Sequence, residues 1–205
     1  EKQTRIALGI SASDAVGLRA NFGTDTKSFH AGKGARSGVV ATLLAQMGFT
    51  ASENILEDHL GLPRVFTQQE LDLAKLTEEL GNPFALISPG VSIKLHPSCG
   101  LTQRGIDAML GLKSEYQFTA EDVAEIECET IPSIPQTLRF YRPRTAIEGK
   151  FSMQYCLAAA LLDGEVTLKQ FTDEKVSAPE VQELMPKVKY SHPEGFSLDA
   201  GDAVG

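Results

Sequence analysis

Lys27 and His30 stand three residues apart in the stretch Gly23-Thr24-Asp25-Thr26-Lys27-Ser28-Phe29-His30-Ala31-Gly32, just ahead of a run of small and apolar residues. Such a pair can be solvated loop polarity. It can also be two groups aimed into a site, one moving a proton and the other balancing charge. A second group, Lys94-Leu95-His96-Pro97-Ser98-Cys99-Gly100, arranges a lysine, a histidine and a thiol around a Pro/Gly turn that leads into a helix. A helix N-terminus favours anions and thiolates. Lys94 can neutralise a carboxylate there while Cys99 or His96 takes part in proton transfer. Equally, Cys99 can be a small buried hydrophobe and His96 an ordinary turn residue. A third group is Arg142-Pro143-Arg144 with Lys150, followed by the stripe Phe151, Tyr155, Ala158 and Leu162. That stripe reads as core, yet a tyrosine near the start of a helix can direct its hydroxyl into a cleft. The planar fork of Arg144 suits a carboxylate, and a solvated loop arginine is the competing reading.

The charge distribution separates these groups from the rest of the chain. The 205 residues carry a formal charge of -8, which argues against a general nucleic-acid binder. From Glu53 to Gly81 seven acids face two cations, whereas Ile134 to Tyr155 has four cations and one acid. Asp25 to Ser37 is also locally basic, and Lys94 to Arg104 carries two cations and no acid. Three basic segments in an acidic chain can converge on an anionic small molecule, or be scattered surface charge. No apolar run reaches the roughly 18 residues of a membrane span, and no signal peptide opens the chain. The three cysteines, Cys99, Cys128 and Cys156, form no CxxC pair, so neither a disulfide framework nor a zinc site is expected. A cytoplasmic location is the simplest expectation. Walker, GxGxxG, HExxH and GxSxG motifs are absent from the sequence.

The elements that must position these groups follow from periodicity. Ile6 to Val16 reads as a buried helix or the end of one. Gly38 to Met47 is predicted helical, with Val39, Val40, Leu43, Leu44 and Met47 on one stripe and Gly48 as the stop. Ala31, Ala35, Gly38, Ala41 and Ala45 make a second stripe of small residues, so this helix is expected to be buried between neighbours. Ser52 caps a predicted helix to Leu56, and Leu71 to Leu80 resumes a helical period. Strand-like texture follows at Phe84 to Ile87, Val91 to Leu95, Ala124 to Thr130 and Val188 to Ser191. Helices are predicted at Thr102 to Leu112, Ser152 to Leu162 and Pro179 to Met185, with an N-capped turn at Thr119 to Asp122. The fold class is therefore α+β: part of an all-helical domain over 1–88, then a smaller α+β domain over 89–205. Helices apolar nearly all round need further neighbours. The helical part is thus expected to dimerise or to belong to a larger protein.

Three blocks in order, "GTDTKSFHAGKGARSGVVATLLAQMGFTASENILE", "KLHPSCGLTQRGIDAML" and "KFSMQYCLAAALLDGEV", closely resemble the MmgE/PrpD family. That family includes 2-methylcitrate dehydratase, cis-aconitate decarboxylase and iminodisuccinate epimerase. The resemblance implies an all-helical domain, a smaller α+β lid, an active site between them and a homodimer. It implies chemistry on a small di- or tricarboxylic acid without metal or organic cofactor. Lys27 and His30 match the family's "K-x-x-H-x-G" block, Lys94 its "K-x-x-P" turn, and Tyr155 the tyrosine of the third block. By this resemblance Lys27, His30 and Tyr155 are candidate catalytic residues and Lys94 a candidate substrate ligand; the reading of the residues themselves adds Cys99 as a catalytic and Arg144 as a substrate-binding candidate. Decarboxylase-like members carry a histidine where this chain has Cys99, and many members have one where it has Gln103. A dehydratase-type lyase acting on an acid such as 2-methylcitrate is expected, with an epimerase or a catalytically incomplete, self-associating fragment as alternatives. Family members are roughly twice as long as this chain, and their additional N-terminal helices supply further active-site residues.

Overall fold

The computed structural model describes residues 1–67 and 72–194. They fold into two compact units that alternate along the chain. Of the described residues, one takes 1–18, 26–67 and 72–90, the other 19–25 and 91–194.

The first unit is helical. Helix α1 spans Lys2–Ser13, α2 spans Asp25–Gln46, and α3 spans Leu62–Thr67. Asp14, just past α1, accepts a hydrogen bond from the Ser37 hydroxyl of α2 at 2.7 Å and pairs with Lys33 at 3.4 Å. The Ser37 bond, followed by the Lys33 charge, holds the Asp14 carboxyl below the usual aspartate value. Gly9 lets the following chain pack closely, since a Cβ there would meet the Ser52 carbonyl oxygen at 2.6 Å.

The second unit is built around α7, Met153–Asp163, of whose residues all from Met153 to Leu161 are buried. Its N-cap Ser152 accepts from the Tyr155 amide at 3.1 Å, and Gly164 closes it at φ +69°. Helix α4, Gln103–Tyr116, lies against it through Ile106 and Met109. Strand β1, Ile126–Glu129, pairs in parallel with β2, Val188–Ser191, with Ile126 opposite Val188 and Glu129 opposite Ser191. Between the strands run four helices besides α7: α5 Ser133–Thr137, α6 Ala146–Gly149, α8 Asp173–Val176 and α9 Pro179–Leu184. Ile126 and Cys128 are half-buried while Glu127 and Glu129 are exposed, as alternation requires. The fold class is α+β, dominated by helix.

Several local expectations are corrected. Lys27 and His30 do not sit on a loop: α2 starts at Asp25 and both lie in its first turns. Helix α2 is buried on its small-residue side, at Ala41 and Ala45, while Val39, Val40, Leu43 and Met47 are exposed. Ser52 to Leu56 forms turns instead of a helix, because the chain folds back on itself at Gly61, whose amide bonds to the Asp58 carbonyl. A Cβ at Gly61 would lie 2.3 Å from the Ile55 carbonyl oxygen. In the expected helix from Leu71 to Leu80, Leu71 lies outside the described residues, and Leu73–Leu76 is a single 3-10 turn capped by Asp72. Phe84 to Ile87 is a turn, flanked by Pro83 and Pro89, which lack the amide a ladder needs. Val91 to Leu95 is irregular and joins no sheet among the described residues.

Candidate active site

The second of the three sequence groups forms an ordered turn. Cys99 precedes a 3-10 turn, Gly100–Thr102, that runs directly into α4. Gln103, the first residue of α4, binds the loop back onto itself. Its Oε1 accepts from the His96 amide at 2.9 Å, and its Nε2 donates to the His96 carbonyl at 3.0 Å and the Ser98 hydroxyl at 3.2 Å. Ser98 and Thr102 share a hydroxyl–hydroxyl bond of 2.6 Å, and Thr102 donates to the Cys99 carbonyl at 2.8 Å. Lys94 reaches over the turn and donates from Nζ to the Ser98 carbonyl at 3.2 Å.

His96 is held from both sides. Its Nδ1 lies 3.0 Å from the Val166 carbonyl and its Nε2 3.0 Å from Asp107 Oδ1. Both partners are acceptors, so only the doubly protonated ring makes both bonds at once. Asp107 sits on α4 one turn after Gln103, so a single helix face grips the loop at two points. Sequence reasoning missed Gln103 and Asp107 as clamps. Their i, i+4 spacing just after a Pro/Gly turn is the signal that could have exposed them.

The third group joins the second through the backbone. The Cys99 amide donates to the Lys150 carbonyl at 2.9 Å, which brings the start of α7 to the turn. Cys99 is partly exposed. Cys156 is fully buried, and burial pushes its thiol up to about 12 in spite of bonds from Thr102 and Ser98. It is a packing residue, not a nucleophile. Lys150 sits over the Phe171 ring at 5.7 Å. Arg144 is exposed, and its amide donates to Glu148 at 2.7 Å. No hydrogen bond or ion pair among the described residues joins it to the Lys94 turn.

Tyr155 lies in the core, as its stripe reads. Its side chain is 0% exposed, and its hydroxyl donates to the Gln170 carbonyl inside the unit's core, not into a cleft. Burial drives the phenol well above the usual tyrosine range. Phe171 packs edge-on to the ring at 5.7 Å. In the first unit, Lys27 is exposed on α2, and the His30 ring lies against the backbone of Gly17, where a Cβ would come within 3.4 Å of Nδ1. One turn of helix puts the two on the same face. Among the described residues there is no cluster of metal-ligating side chains.

Comparison with known proteins matches residues 1–74 to the MmgE/PrpD N-terminal domain and residues 96–203 to the MmgE/PrpD C-terminal domain. The chain belongs to the MmgE/PrpD family. A cis-aconitate decarboxylase of Mus musculus is 31% identical over 92% of this chain and 39% of its own length. One from Aspergillus terreus is 30% identical over 94% of the chain and 42% of its own. A cis-aconitate decarboxylase of Homo sapiens is 28% identical over 92% and 40%. This chain thus spans about two-fifths of the length of these relatives. Within the family, the ordered turn from His96 onward and the α7 block fall in the C-terminal domain match, and Lys27 and His30 in the N-terminal one.

Proposed function

We propose that this chain is part of a lyase acting on a small di- or tricarboxylic acid by proton transfer at a carbon next to a carboxylate. The reaction proposed is a dehydration, of an acid such as 2-methylcitrate. The observation that carries the reading is the clamped turn from Lys94 to Gln103. It fixes a cation and a partly exposed thiol beside a helix start, on a chain whose relatives are cis-aconitate decarboxylases. Removing a proton from a carbon next to a carboxylate builds negative charge there and adding one quenches it, so the chemistry needs cations for the carboxylates and an acid or base at the carbon. In this reading Lys94 and Arg144 hold carboxylates, and Lys27, His30 and Cys99 supply the proton transfers. Tyr155 supports the core that carries the turn. The working assembly is proposed to be a homodimer, supported by the exposed apolar stripe of α2.

Decarboxylation is the second reading, favoured by the activity of the relatives; a cysteine at position 99 favours dehydration. The test offers 2-methylcitrate and cis-aconitate to the whole protein that contains this chain. A new conjugated double bond from 2-methylcitrate is expected. Carbon dioxide release from cis-aconitate alone would replace dehydration by decarboxylation. Exchange of an α-proton in deuterated water without alkene would make the protein an epimerase. Lys27→Ala is expected to lower turnover about 10²–10⁴-fold. Unchanged turnover in that variant would remove Lys27 from the mechanism, and no turnover of any such acid by the parent would leave only the non-catalytic fragment.

A further inference from the structure

A groove of about 330 Å³ runs between α4 and β1, with Gly100 and Leu101 from the end of the clamped turn in its lining. Its α4 wall is Arg104, Gly105, Ala108, Met109 and Leu112, small or apolar except for the Arg104 guanidinium at one end. Gln103 and Asp107, which grip His96, lie on the opposite face of that helix. The β1 wall is every residue from Ile126 to Thr130. Consecutive residues, not only alternate ones, line it, so the groove reaches the strand's edge as well as its inner face, where Met153 and Leu157 lie. That edge is open: among the described residues, β1 has β2 as its sole partner in a two-stranded sheet. The Thr130 amide donates to the Ser191 carbonyl at 2.9 Å, toward β2. Backbone direction alternates along a strand, so the amides and carbonyls of Glu127 and Glu129 point away from β2, along the groove.

The same unit contains a segment with the matching pattern. Val91, Ile93 and Leu95 are 69%, 86% and 75% exposed, alternate with Ser92 and Lys94, and belong to no ladder among the described residues. Five residues match the five of the groove wall. Laid along β1, the three aliphatic side chains face the α4 wall, and Lys94 falls on the side of Glu127 and Glu129. Pairing of β1 with another β1 would instead set glutamates against glutamates. Because His96 anchors the segment to the far face of α4, its own groove is out of reach.

We infer that the open edge of β1 binds the Val91–Leu95 segment of a second copy of this chain as an added strand, each copy lending its segment to the other. Pairing and carboxylate binding then compete for Lys94. The two proposals fail separately, since one is read by association and the other by turnover.

Two variants of the 205-residue chain test this by analytical ultracentrifugation, with hydrogen exchange at Glu127 and Glu129. Lys94→Glu alone and Glu127→Lys/Glu129→Lys alone are each expected to weaken self-association about tenfold, because both interfaces then carry like charges. Mixing the two restores it, since each introduced glutamate then meets lysines and each unaltered Lys94 meets glutamates. The Glu127 and Glu129 amides of the parent are expected to exchange more slowly as concentration rises. Exchange rates independent of concentration, or a mixture no tighter than its components, overturns the inference. All substituted side chains are exposed, and circular dichroism matching the parent confirms that the variants fold.

Discussion

The hydroxyl of Tyr155 has one partner, the Gln170 carbonyl, and both are buried. Tyr155→Phe leaves that carbonyl without a donor, and a loss of about 1–3 kcal/mol in urea denaturation is expected. Turnover by the whole protein is expected to stay near that of the parent. A hundredfold fall would instead put the phenol in the reaction. Asp122 works in the opposite sense. It accepts from the Thr119 amide at 2.9 Å and the Thr119 hydroxyl at 2.8 Å, and those bonds hold its carboxyl below the ordinary 3.8. A depressed carboxyl contributes stability that is fully present above 3.8 and is lost as pH falls through its lowered value. Asp122→Asn is therefore expected to be less stable than the parent at neutral pH, with the gap closing in acid. Urea midpoints measured across the acid range check this.

At the scale of elements, glycine has two different meanings. At Gly149, in α6, a Cβ would lie 3.1 Å from Tyr155 Cδ1 and 3.1 Å from Val176 Cγ2, both on fully buried residues. Gly149→Ala is expected to cost about 1–3 kcal/mol through overpacking. On α2, a Cβ added at Gly34 or Gly38 would have nothing within 4 Å, so alanine meets no obstacle there. Gly34→Ala is expected to raise stability by about 0.5–1 kcal/mol, from the helix propensity alone. Thermal denaturation of the two variants should move in opposite directions. Inside α7, Leu161→Ala opens a cavity in the middle of the second unit, at an expected cost of about 2–5 kcal/mol.

For the molecule as a whole, charge and exposed apolar surface act together. The isoelectric point is near 5.0 and the formal charge at neutral pH is -8. Val39 and Leu43 are exposed on α2 and Met47 just past its end, and Ile93 and Leu95 are exposed on either side of Lys94. Net charge opposes nonspecific aggregation through such faces at neutral pH, and that opposition vanishes near pH 5.0. Light scattering against pH is expected to peak there.

The sequence by itself determined what depends on neighbours along the chain. Periodicity and caps placed the helices around Gly38, Thr102 and Ser152 and the strand at Val188 to Ser191, the last three within a few residues of their observed ends. Three ordered blocks carried the family. Of the candidate site, the residues of the Lys94 turn were legible as a group because Pro97 and Gly100 make a turn locally. Their clamps were not, since Gln103 and Asp107 matter only once α4 lies against the loop. Tertiary structure alone decided that α2 buries Ala41 and Ala45 and exposes its larger aliphatics, and that the Tyr155 hydroxyl ends on Gln170. It also decided that Val91 to Leu95, strand-like in its alternation, has no ladder among the described residues. Alternation prepares two faces and an edge. What covers each is set by the groups opposite in space, which local pattern does not contain.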